Sequence, residues 1–393
     1  MSETANHRPL TVLLGCDTFA PNINGAARFA ERLAAGLVQR GHEVHVSAPN
    51  ERYRRQKPGV ERVEGEDLVV HRLPAVSLPW HEWLRFVWPW RSRHYARRVL
   101  DAIDPDVVHI QSHIVIGRGL TREARKRGIP VVATNHTMAE NILDSTRLPA
   151  WANRILLREA WADAKRTFDM CAAVTTPTRK AADFLEETID VSGVVPISCG
   201  IDMSQYTADL SPRSEKTIVF VGRLTSEKRV EDILRAAARL DDDVIVELVG
   251  DGDQRPGLEA LADELGIRDR VVFHGHTSDE ELRAALTRAS VFAIASIAEL
   301  QSIATMEAMA SGLPVVAADA VALPHLVNDG ENGYLFAPEN VDELAARLSD
   351  VLGASRERYG QMQRASLALV SAHDITRTLD TFEALYRGES VPA

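Results

Sequence analysis

Short apolar runs alternate with stretches of helical periodicity along this chain, and the alternation begins twice. Residues 11–16, 43–48, 68–72, 107–111, 131–135 and 172–175 read as buried strands, with helical spacing over 26–40 and 117–126 between them. After a polar stretch at 205–216 a second set follows at 217–221, 244–249, 271–274, 291–295, 314–318 and 334–336. Strands separated by helices form right-handed βαβ units with parallel strands. Two successive sets in 393 residues predict an α/β chain of two Rossmann-like domains facing across a cleft, rather than one closed barrel. The expected domains are residues 1–205 and 206–374. In such open sheets ligands bind beyond the carboxyl ends of the strands, so the residues just after each strand matter most.

The charge is uneven. Residues 1–190 hold 27 Lys and Arg against 23 Asp and Glu, a balance of +4; the remainder holds 18 against 33, or −15. An acidic half argues against nucleic acid as a partner, which needs a positive face toward its phosphates. The basic half leaves room for an anionic acceptor or membrane surface. Cys16, Cys171 and Cys199 are too few and too scattered for a disulfide framework or a zinc site, which suits a reducing cytoplasm. No apolar run reaches the length of a membrane span and no leader pattern opens the chain, so a cytoplasmic location is expected.

Four segments at predicted strand ends bear on chemistry. The first strand runs into Asp17 and, further on, Asn24-Gly25, where Gly25 offers a positive φ and close backbone approach before a helix. A lone glycine there is not the dinucleotide fingerprint, which disfavours a nicotinamide enzyme. The second set opens with a strand followed by Gly222-Arg223-Leu224 and Lys228, two cations suited to adjacent oxygens of a diphosphate. Gly250-Asp251-Gly252-Asp253 follows another strand and reads either as a ligand approach or as a tight turn. After the strand at 291–295 comes Glu299, then a helix expected to start near Ser302 and to contain Glu307. The amides of Gln301, Ser302 and Ile303 would then face an anion. Carboxylates on both sides of an anion site suit a ligand with hydroxyls on both sides of a diphosphate, as in a nucleotide sugar. Glu307 sits among Ala304, Met306, Ala308 and Met309, a buried setting where an unpaired carboxylate is costly.

At these residues the chain resembles the retaining glycosyltransferases of family 4, which have the GT-B fold. The family's Glu-x7-Glu element matches Glu299 and Glu307, its Gly-Arg-Leu-x-x-x-Lys element matches Gly222 to Lys228, and its Asn-Gly loop matches Asn24-Gly25. The resemblance implies that Arg223 and Lys228 hold the donor diphosphate, Glu307 the ribose and Glu299 the transferred sugar, with Gly25 letting its loop close on the diphosphate. His136, in Thr134-Asn135-His136, matches a histidine near the anomeric carbon; a histidine after a strand otherwise serves as a structural hydrogen bonder. The resemblance further implies retention, a UDP-glucose or GDP-mannose type of donor, no cofactor and no metal, and a helix over 375–393 returning to the first domain. Many members have Glu-Gly-Phe-Gly where this chain has Glu299-Leu300-Gln301-Ser302. A nucleotide-sugar epimerase of the same fold and a silent binding scaffold are the alternatives.

The segments 107–113 and 134–141 are similar to lipid-directed members such as diacylglycerol glucosyltransferases and phosphatidylinositol mannosyltransferases. Residues 80–98 hold four of the six tryptophans, and from Arg85 to Arg98 there are five arginines and no acid. Trp83, Arg85, Trp88 and Arg91 are therefore candidates for an acceptor or membrane contact on the inner face of the plasma membrane. The alternatives are a packing loop with a solvated basic helix, and a soluble or polysaccharide acceptor.

Overall fold

The computed structural model describes residues 8–391 apart from 23, 52, 55, 79–80, 137–149, 212 and 214, and omits the side chains of 78, 81–84 and 150. It divides into two compact units, Met1–Ser198 with Thr378–Ala393, and Cys199–Arg377.

Among the described residues, unit 1 is built on an eight-stranded sheet in the order β10-β9-β8-β7-β1-β2-β4-β3. Its strands are β1 (Thr11–Gly15), β2 (Glu43–Pro49), β3 (Gly59–Val63), β4 (Glu66–Leu73), β7 (Val107–Ile110), β8 (Val131–Thr134), β9 (Ala173–Thr176) and β10 (Val195–Pro196). All pairs are parallel except β3 with β4. The sequence pattern did not reveal β3, because Gly-Val-Glu-Arg-Val is a largely exposed edge that buries little. Two further strands, β5 (Ala75–Leu78) and β6 (His81–Val87), form a separate antiparallel ribbon that runs into the tryptophan-rich segment, where the sequence offered a packing loop as one reading.

Helix α1 (Gly25–Gln39) is capped by Asn24 and buries Phe29, Leu33 and Leu37, one stripe at helical spacing. Helix α2 (Pro89–Ile103) starts with proline at its first turn and turns Tyr95, Ala96, Val99 and Leu100 inward. These pack with α3 (Ile116–Lys126), α4 (Ala150–Phe168) and the strands through Ile116, Leu120, Trp161 and Phe168. Helix α5 (Arg179–Ile189) completes the α/β alternation. The last helix, α12 (Ile375–Tyr386), belongs to unit 1 from Thr378 onward. Leu379 rests on Gly36, where a Cβ would come within 2.6 Å of it, and Arg40 pairs with Asp380 at 2.7 Å and Glu383 at 2.9 Å.

Unit 2 holds a six-stranded parallel sheet in the order β13-β12-β11-β14-β15-β16. Its elements are β11 (Lys216–Val221), α6 (Val230–Ala237), β12 (Val244–Val249), α7 (Arg255–Glu264), β13 (Val271–Gly275), α8 (Asp279–Arg288), β14 (Val291–Ile294), α9 (Ile303–Ala310), β15 (Val315–Ala318), β16 (Gly333–Phe336), α10 (Val341–Leu352) and α11 (Arg356–Val370). Strands β14 and β15 are buried at every position, as expected when helices cover both faces of a parallel sheet. The order of connection reverses between β11 and β14 in unit 2, and between β1 and β7 in unit 1. Such a switch point opens a crevice at the carboxyl ends of the two strands.

Candidate active site

At the unit 2 switch point, the loop after β11 folds onto the end of β12. Gly222 N–H donates to the Val249 carbonyl at 3.0 Å and Leu224 N–H to that of Asp251 at 3.0 Å. A Cβ at Gly250 would lie 2.0 Å from the Gly222 carbonyl oxygen, and one at Gly252 would lie 2.3 Å from that of Leu224. Of the two sequence readings of 250–253, this is tight backbone packing: the glycines let one loop lie on the other.

The β11 loop and the β14 loop are joined by Glu227. Its carbonyl accepts from Ile297 N–H at 3.1 Å and Ser296 Oγ at 3.3 Å. Its carboxylate accepts from Thr225 Oγ1 at 2.7 Å and from Arg223 Nη2 at 3.3 Å. One residue further, Lys228 Nζ pairs with Glu299 Oε1, both side chains largely buried at 17% and 11% exposure. The Glu299 carbonyl is held by Ala322 N–H at 3.2 Å. Two elements that the sequence separates by about seventy positions thus meet, bringing Gly222, Arg223, Lys228 and Glu299 to one crevice. Nothing in the sequence marked Glu227 as their connector, since its carbonyl does half the work and any residue has one.

Helix α9 begins where the sequence indicates. Ser302 is its N-cap, Oγ accepting from Thr305 N–H at 3.2 Å, and the first-turn amides from Ile303 have no intrahelical partner. Seven of its eight residues are buried, among them Glu307, which accepts from Tyr206 Oη at 2.9 Å. The tyrosine supplies a partner that the sequence pattern could not name, because it lies about a hundred positions away. Gln301 Oε1 accepts from Cys199 N–H at 2.7 Å. Open cavities of about 540 and 260 Å³ lie along α8, and no predicted donor residue lines either.

Unit 1 presents a different switch point. Asp17 is half-buried and accepts from Ile116 N–H at 3.0 Å, Val115 N–H at 3.3 Å and Ser112 Oγ, so it caps α3. Burial raises its pKa against those hydrogen bonds. Asn24 Oδ1 accepts from Ala27 N–H at 3.0 Å. Gly25 corrects an expectation: it is the first residue of α1 and is not left-handed. Asn24 is already extended when the helix starts, so no positive φ is required there.

His136 follows β8 and packs at a tilt against Phe29, 4.8 Å between ring centroids. Its Nε2 donates to Gln111 Oε1 at 3.0 Å, and burial pushes its pKa down to about 3. Gln111 Nε2 continues to His109 Nε2 at 3.3 Å, and His109 Nδ1 meets Tyr386 Oη at 2.7 Å. His109 is likewise driven down to about 3, by burial and then by His136. A chain of neutral polar groups therefore holds His136 in one tautomer. Residues 137–141 of the lipid-directed likeness lie outside the described residues.

The remaining candidates lie on the β5–β6 ribbon and α2. The side chain of Trp83 is outside the described residues. Arg85 donates to Ser77 Oγ. Trp88 stacks on Trp90 at 4.7 Å, Trp90 is 72% exposed, and Arg91 is exposed. Arg93 and Arg97 turn back to Glu123 of α3 at 2.8 and 3.1 Å. Burial favours a neutral Glu123, but hydrogen bonds from Lys126, Arg93 and Arg97 outweigh it and hold its pKa at about 2. The sequence reading missed a second apolar patch, Trp151, Ile155 and Leu156 on α4, all exposed. Among the described residues no helix is long and apolar enough to cross a membrane.

Two doubly wound units, one with a charged crevice at its switch point, define the GT-B class of glycosyltransferase. The second half matches the model of glycosyl transferases group 1 over residues 207–366, and the first half that of glycosyltransferase family 4 over 23–205. The chain is 30% identical over 370 residues to a GDP-mannose-dependent alpha-mannosyltransferase of Mycolicibacterium smegmatis, covering 91% of this chain and 92% of that one. It is 25% identical over 386 residues to the alpha-monoglucosyldiacylglycerol synthase of Streptococcus pneumoniae, covering 93% and 83%. Anabaena HepE, solved in complex with UDP-glucose, shares the fold with a TM-score of 0.72 at 18% identity, over 96% of this chain and 100% of that one. The chain belongs to the family 4 glycosyltransferases and is an enzyme that transfers glycosyl groups.

Proposed function

We propose that the chain is a retaining hexosyltransferase that takes a hexose from a nucleoside diphosphate sugar of the UDP-glucose or GDP-mannose type and gives it to a lipid hydroxyl at an anionic membrane surface. The observation that carries this reading is the joined pair of loops in unit 2, with Arg223, Lys228 and Glu299 held at the switch point. The bond between the anomeric carbon and the diphosphate breaks while the acceptor oxygen bonds to the same face. The acceptor's proton passes to the departing phosphate oxygen. Arg223, Lys228 and the helix start at Gln301, Ser302 and Ile303 meet the charge that builds on the diphosphate, the kind of preorganised stabilisation that contributes most to such reactions. Glu307 accepts the ribose hydroxyls and Glu299 those of the hexose. His136, neutral at working pH, serves as a hydrogen-bonding group. Gly25 contributes its helix-start amide rather than a left-handed backbone. These cations take the part a metal plays elsewhere, so chelation leaves the rate unchanged.

The lipid reading is supported by the synthase named above and by Trp88, Trp90 and Arg91, amphipathic and cationic side chains on one helix start. It is tested by incubating UDP-glucose and GDP-mannose with the protein and vesicles of phosphatidylglycerol and diacylglycerol. Glycolipid should form, and the protein should sediment with the vesicles at low salt. Transfer to soluble sugars alone, or no sedimentation, overturns the lipid reading; no consumption of either donor overturns the donor reading.

A further inference from the structure

The chain departs from its family's pattern at Leu300-Gln301-Ser302, and the structure gives Gln301 partners that an aromatic residue could not have. Its buried side chain accepts from Cys199 N–H at 2.7 Å through Oε1, while Nε2 lies 3.4 Å from His325 Nε2. His325 Nδ1 is hydrogen-bonded to the Ala322 carbonyl, which places the ring proton on Nδ1 and leaves Nε2 as the acceptor for Gln301. Ala322 in turn donates to the Glu299 carbonyl at 3.2 Å, so the loop is tied to this network at both Glu299 and Gln301. On its other side the His325 ring stands edge-on to His373 at 5.6 Å.

Cys199 is the first residue of unit 2, and His373 lies four residues before Arg377, its last. The two crossover stretches are paired: Ile201 N–H donates to the His373 carbonyl at 2.8 Å, and Ile375 N–H to that of Ile201 at 3.1 Å. Gln301 therefore hydrogen-bonds directly to one crossover stretch and reaches the other through the edge-on packing of His325 against His373. The loop from Ser296 to Ser302 has no regular structure of its own, so its conformation depends on such side-chain ties.

We propose that Gln301 is a positioning residue whose side chain fixes the Glu299 loop to the paired crossover stretches, so that the seat of the transferred hexose depends on it far more than that of the nucleoside diphosphate, whose amides at the α9 start keep the Ser302 cap. This rests on the donor reading above. The test uses Gln301→Met, which keeps the length and removes the hydrogen bonds, with His325→Ala and the double variant. UDP against UDP-glucose, and GDP against GDP-mannose, are titrated by calorimetry, and kcat and KM for donor consumption are measured. Gln301→Met should bind the free nucleotide within roughly two-fold of the parent, yet bind the nucleotide sugar roughly ten-fold more weakly and lose ten- to a hundred-fold in kcat, the scale of a small misplacement near the reacting atoms. His325→Ala should show the same hexose-selective loss, and the double variant should add less than roughly two-fold to Gln301→Met, because both act through one network. Should Gln301→Met not fold, His325→Ala alone tests the same chain. Parental behaviour, equal weakening of nucleotide and nucleotide sugar, or full multiplication in the double variant overturns the proposal. Lys228→Ala is the control: if it leaves nucleotide binding intact, the donor reading itself fails, whereas weakened binding there with a silent Gln301→Met sinks only the role of Gln301.

Discussion

The two switch points share an architecture and differ in chemistry. In unit 2, opposite charges meet at the loop ends, Lys228 with Glu299 across two loops and Arg223 with Glu227 within one. In unit 1, the corresponding loops hold a half-buried Asp17 that caps a helix, and His136, from which a chain of imidazole, amide and phenol groups runs to Tyr386 of the last helix. The unit 2 groups are paired with each other but sit where a ligand's charge could replace either partner. The unit 1 groups are satisfied by the fold itself. Carboxyl ends of parallel strands thus supply either exchangeable charge or fixed neutral polarity, depending on whether the groups can be reached and re-paired.

Acidification should separate the units most strongly. In unit 1 burial depresses His109 and His136 to about 3 and His71 and His113 to about 4, while in unit 2 it lowers His325 and takes His373 to about 4. A folded pKa below the unfolded value of about 6.5 means that the unfolded chain binds more protons, so stability is complete above that pH and falls from there toward about 3–4. At one pH unit below it each such group removes up to about 1.4 kcal/mol, so unit 1, with four, loses more than unit 2, with two. Asp17, whose pKa is raised, opposes this only as it takes up its own proton. Unit 1, which holds Trp161 beside His113, should therefore lose its fixed tryptophan environment first in near-ultraviolet dichroism at falling pH. Simultaneous loss of both units would erase the contrast.

Lys228→Ala comes next. Removing a charge that faces the leaving group should lower kcat by roughly a hundred-fold, about 3 kcal/mol, without a comparable fall in melting temperature. Asp17→Ala should do the reverse: it strands the Val115 and Ile116 amides, costs about 2 kcal/mol of stability on thermal melting, and leaves nucleotide binding unaltered. If Asp17→Ala abolished nucleotide binding in a folded protein, unit 1 would have to be reinterpreted. Glu307→Ala should weaken UDP or GDP binding by about 1.5 kcal/mol, the value of a hydrogen bond to a charge, as read by calorimetry.

The sequence was most legible where local pattern and chemistry coincide. Strands buried on both faces, such as Val291–Ile294, read as continuous apolar runs, and Ser302 followed by a buried helix marks a cap. The edge strand Gly59–Val63 was invisible because its identity comes from pairing with β4, not from burial. In the site, Arg223, Lys228, Glu299 and Glu307 are recognisable by type and spacing. Their partners are not: Tyr206 on Glu307, Cys199 on Gln301 and Glu227 between two loops are set by tertiary contact across long separations. The left-handed reading of Gly25 failed because a glycine before a helix was read for its freedom, while Asn24 had already set the geometry.

The Lys228–Glu299 pair gives the smallest effect and the most discriminating one. If the two side chains partner each other only until a donor arrives, the carboxylate competes with the diphosphate for the same ammonium. Glu299→Gln removes that competitor while keeping the shape of the side chain. The free nucleotide should then bind slightly more tightly, by about 0.5 kcal/mol, because the attraction within this largely buried pair is mostly offset by the desolvation of both charges. The nucleotide sugar should gain less or lose affinity, because the hexose gives up a charged acceptor for a neutral one. Opposite movement of the two affinities, measured in one titration series, would assign Lys228 to the phosphates and Glu299 to the sugar. If both fall together, the pair is a structural clasp, and unit 2 is as self-contained at its switch point as unit 1.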